Sequence, residues 1–141
     1  MRTIKFRGII VGTDNEEFDG KWVYGDLSQV DAQRNGKYLI WDESKRYARG
    51  FYVEESTIGQ YTGLKDANKV EIYDGDILFL EDDEVPFGSV AWHPDGYFAI
   101  DRHFGKYDFS KFKCRPLGEM LNRELDNGMI LRFVVNGNIY E

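Results

Sequence analysis

The stretch Val90-Ala91-Trp92-His93-Pro94-Asp95-Gly96-Tyr97-Phe98-Ala99-Ile100 reads as a β-hairpin from its own chemistry. Pro94 presets its φ, Asp95 tolerates a tight turn, and Gly96 takes a positive φ without steric cost. On the incoming strand Val90 and Trp92 share one face and Ala91 takes the other. Period two recurs outward from this hairpin. Ile4 and Phe6 alternate with Lys5 and Arg7, and Trp22 and Tyr24 alternate with Val23 and Gly25. Short apolar runs at 38–41, 51–53, 77–80, 89–92, 97–100 and 129–135 are rich in Val, Ile, Tyr, Phe and Trp, which suit a pleated, half-buried surface. Asp19-Gly20, Asn35-Gly36, Asp74-Gly75, Asp95-Gly96 and Asn136-Gly137 punctuate them as turns. The expected fold is mainly β: small barrels or bent sheets with one short C-terminal helix.

That helix is expected after Pro116, a good first helical residue. Leu117, Met120, Leu121 and Leu125 form one stripe, and Asn127-Gly128 provides the exit. The 141 residues fit a single domain spanning 1–141, with two small β subdomains meeting near Gly75 as the alternative. Ten Phe, nine Tyr and three Trp exclude a disordered chain. No apolar run approaches the ~20 residues of a membrane helix, and charges interrupt the first residues, so neither a membrane nor an export signal is expected. The lone Cys114 precludes an intrachain disulfide and points to a reducing cytoplasm.

The net charge of −7 disfavours unspecific binding of nucleic acid or anionic lipid. Its distribution is uneven. Residues 71–84 hold seven acids and no Lys or Arg, and read as an acidic loop. Residues 102–115 hold Arg102, Lys106, Lys111, Lys113 and Arg115 against Asp108 alone. Such segments are normally two solvated faces. They also suit self-association, the basic segment of one copy meeting the acidic one of another. Phe104, Tyr107, Phe109 and Phe112 interleave with the bases, so Arg102, Lys106, Tyr107, Lys111, Lys113 and Arg115 form a candidate interaction face. Stacking plus cations would suit single-stranded nucleic acid there.

The most turn-dense string is Ile58-Gly59-Gln60-Tyr61-Thr62-Gly63-Leu64-Lys65-Asp66, followed by Glu71-Ile72-Tyr73-Asp74-Gly75-Asp76-Ile77. Gly59 and Gly63 permit positive φ or close backbone approach, and residues 65–69 read as a polar loop tip. Asp74 and Asp76 flank Gly75 at a strand entrance, where a carboxylate can accept the turn's own N–H groups. A P-loop is excluded because Leu64 stands where Lys is required. No Gly-x-Ser-x-Gly elbow occurs. His93 and His103 lack further zinc ligands, and Cys114 lacks an identified base. Asp74 and Asp76 with the acidic residues after them are oxygen ligands of the kind a hard cation takes, which keeps a metal-dependent hydrolase as the remaining catalytic reading. Without a catalytic constellation the expectation is a non-enzyme that needs no cofactor.

These strings give the chain its resemblance. Ile4-Lys5-Phe6-Arg7, Trp22-Val23-Tyr24-Gly25-Asp26-Leu27, Gly59 to Asp66, Glu71 to Ile77, and Gly137-Asn138-Ile139-Tyr140-Glu141 together resemble the YopX protein family of phages and prophages. Gly59, Gln60, Tyr61, Thr62, Gly63, Leu64, Tyr73, Asp74, Gly75 and Asp76 carry the most specific part. Gly8-Ile9-Ile10 departs from the family's usual Ala-Trp-Asp. The resemblance implies a mostly β fold with SH3-like barrel character, homo-oligomers and a phage or prophage origin, hence the cytoplasm of a bacterial host. It implies no activity. The expected function is a self-associating module that contacts another protein, of host or phage. Nucleic-acid binding through 102–115 is the alternative.

Overall fold

A computed structural model describes residues 3–29, 36–44, 49–103 and 115–141, with 101–103 described by backbone alone. Among the described residues the fold is mainly β, in two antiparallel sheets with one short C-terminal helix. The chain divides into two compact units, 1–61 and 62–141.

The first unit contains β1 (Phe6–Ile9), β2 (Trp22–Ser28), β3 (Tyr38–Asp42), β4 (Gly50–Val53), a 3-10 turn at Glu55–Thr57, and the start of β5 (Gly59–Lys65). Its strands run in the order β4-β3-β2-β1-β5. The sheet is bent. Past the end of β1, Ile10 bridges Val53 of β4, and the N–H of Val11 donates to the Tyr52 carbonyl at 2.9 Å. Bending encloses Ile10, Val23, Ile40, Phe51 and Val53. Each such side chain contributes on the order of 1.5–3 kcal/mol on burial. Gly25 allows the close approach of β3 to β2: a Cβ there would stand 1.7 Å from the Trp41 carbonyl oxygen. Thr57 joins the 3-10 turn to the sheet, its Oγ1 accepting the Ile9 N–H at 2.9 Å and donating to the Glu54 carbonyl at 2.6 Å.

In the second unit the end of β5 pairs with β6 (Glu71–Tyr73). A four-stranded sheet follows, in the order β10-β7-β8-β9, from β7 (Asp76–Leu80), β8 (Pro86–His93), β9 (Tyr97–His103) and β10 (Phe133–Asn138). The hairpin expected over 90–100 forms as β8–β9, with Val90 opposite Ile100, Trp92 opposite Phe98 and Gly96 at φ 95°. Its core holds Ile72, Leu78, Phe87, Val90, Leu131 and Phe133 among others, with the Phe87 and Phe133 rings edge to face at 4.6 Å.

The helix is shorter than its apolar stripe predicts. α1 is one turn, Leu117–Met120. Leu121 is already extended (φ −69°, ψ 123°), and Asn122 takes a left-handed φ of 60°. Residues 122–131 then double back as a small hairpin, with Glu124 bridging Ile130 and the Leu125 N–H donating to the Met129 carbonyl at 2.7 Å. The stripe still serves the core: Leu117 and Met120 are buried and Leu121 and Leu125 pack against them, from a turn plus hairpin instead of a long helix. The run 129–135 is correspondingly a strand only from Phe133.

Residues 71–84 are not one acidic loop. They run through β6, a turn and β7, and Asp76 is 1% exposed. Asp74 in the turn and Glu81–Glu84 after β7 lie outside strands, and Glu81 pairs with Arg132 at 3.5 Å. Among the described residues no helix is long and apolar enough to cross a membrane.

Candidate functional site

The signature residues occupy β5, β6 and the turn into β7. In the first unit, Gly59 and Gln60 pair with Arg7 and Phe6 of β1, and buried Tyr61 donates its N–H to the Lys5 carbonyl at 2.8 Å. The Lys5 ammonium stands 5.3 Å from the Tyr61 ring centre and 3.3 Å from the Glu43 carboxylate. Arg7 is 5% exposed, with its guanidinium 4.7 Å from the Trp22 ring centre.

In the second unit the remaining signature residues are tied together by hydrogen bonds to backbone. Thr62 Oγ1 donates to the Ile72 carbonyl at 2.8 Å and accepts from the Leu64 N–H at 3.2 Å. Gly63 takes φ 84°, and Leu64 packs against the core. Tyr73 is 2% exposed, and its N–H donates to Asp76 Oδ2 at 2.7 Å. Asp76 and the partly exposed Asp74 enclose Gly75, whose φ is 93°. The turn they form is held on two sides: the Gly75 N–H donates to the Val90 carbonyl at 2.8 Å, and the Gly75 carbonyl accepts from Ile139 at 2.9 Å. Asn138 lies opposite Asp76 in the sheet. Its Oδ1 accepts the Tyr140 N–H at 3.0 Å and its Nδ2 donates to Glu141 at 2.9 Å. Two strings far apart in sequence, 73–76 and 137–141, therefore meet at one turn.

Asp66 departs from its reading as part of a polar loop tip. It is 7% exposed. Its Oδ1 accepts the N–H groups of Asn68 and Val70 at 2.8 and 2.9 Å, and its Oδ2 accepts that of Val135 at 2.8 Å. With the Ala67 N–H on the Phe133 carbonyl, this fastens the loop 66–70 to the edge of β10. The only sequence signal for it is an Asp at the head of an Asx-type turn.

Among the described residues no group of three or more His, Cys, Asp and Glu side chains is placed to hold a metal ion. Of the candidate face, Arg115 pairs with Glu119 at 3.6 Å and Arg102 belongs to β9. Lys106, Tyr107, Lys111 and Lys113 lie outside the described residues, as does Cys114.

The sequence did not point to a cleft of about 330 Å³ in the first unit, lined by Ile10, Phe18, Trp22, Val23 and Phe51 with Glu17, Lys21 and Asp42. The loop 12–20 supplies Glu17 and Phe18 to its wall. Asp19 Oδ1 accepts both the N–H and the Oγ1 hydroxyl of Thr13, at 3.0 and 2.6 Å. The hydroxyl first, then the amide, hold the Asp19 carboxyl below its ordinary value of 3.8. The loop so closed sets Phe18 5.1 Å from Phe51, and the Arg49 guanidinium lies 4.5 Å from the Phe51 ring centre.

A family model described as YopX protein matches residues 14–141. The chain belongs to the YopX family. The match to the YopX model covers the β5–β7 strings and the terminal one. The element Ile4–Arg7 lies outside the matched stretch. No curated protein and no solved structure matches the chain.

Proposed function

We propose that this YopX protein is a non-enzymatic module of phage or prophage origin, acting in the bacterial cytoplasm by assembling with copies of itself and contacting another protein. One observation carries the reading: the buried signature carboxylates Asp66 and Asp76 accept backbone N–H groups. A carboxylate used in this way holds the backbone of its own turn in place. Trp41 and Trp92, each 52% exposed, are the kind of large apolar side chain that an interface covers. Light scattering across a concentration series tests the assembly. A mass above one chain that falls on dilution supports it, and a monomer at every concentration refutes it.

A further inference from the structure

We draw no further inference here: the strongest candidate, the aromatic cleft of the first unit between Phe18, Trp22 and Phe51, carries charges of both signs in Lys21, Glu17 and Asp42, and nothing in the structure shows what covers it.

Discussion

Asp66 accepts the backbone N–H of Val135 at 2.8 Å, across 69 residues of sequence. The same carboxylate caps Asn68 and Val70, so one side chain both shapes a loop and fastens it to the edge strand β10. An exposed strand edge is a site of unwanted pairing, and this loop occupies part of it.

Replacing Asp66 by Ala leaves three N–H groups without their acceptor. Hydrogen bonds to a charged group contribute about 1.5–3 kcal/mol each, and partial rehydration of the exposed loop reduces the total. The expected loss is about 2–4 kcal/mol in urea unfolding. Hydrogen exchange adds a local signature: the Val135 amide should lose protection before Leu78, in the centre of the same sheet. Unchanged protection at Val135 would show that the loop holds without its carboxylate.

Gly25 is the most intolerant glycine of the first unit. A methyl group there meets the Trp41 carbonyl oxygen at 1.7 Å, and the backbone of β3 cannot step aside without breaking its pairing with β2. Gly25→Ala should abolish soluble folded protein or lower the melting temperature more than any surface change. Gly12→Ala is the control. Gly12 has φ 75° with nothing within 4 Å of an added Cβ, so it costs only backbone strain, about 1–2 kcal/mol. Equal melting temperatures for the two variants would contradict the close-approach argument.

The loop 12–20 should respond to acid through Asp19. Its folded pKa lies below 3.8, so its contribution to stability is fully present above the unfolded value and is lost as pH falls through the folded one. Carboxyl titration by NMR should place the Asp19 midpoint below 3.8, and Thr13→Val should raise it by removing the largest cause, the hydroxyl donor. No rise in Thr13→Val would assign the shift elsewhere.

Much of this architecture is legible in the sequence wherever the determinants are local. Pro94-Asp95-Gly96 specifies its hairpin because turn and strand signals sit within one short stretch. Leu117, Met120, Leu121 and Leu125 mislead because helical spacing also describes one turn of helix followed by a doubled-back hairpin. Asn122 in a left-handed conformation breaks the helix, and that position is visible only once Leu131 supplies its backbone partner. Asp66 is illegible for a related reason. A charged residue between strands reads as solvated, and the N–H that buries it belongs to Val135. The Phe18 cleft needs three separate segments, residues 10–23, Asp42 and Phe51, which no local pattern joins.

The central claim is that the signature carboxylates are architectural. The decisive measurement is titration of Mg²⁺, Ca²⁺ and Mn²⁺ into the wild type and Asp76→Ala by calorimetry, with urea unfolding of both. The account predicts no saturable binding to either protein and a lowered unfolding midpoint for Asp76→Ala. Saturable binding to the wild type that disappears in an equally stable Asp76→Ala would contradict it.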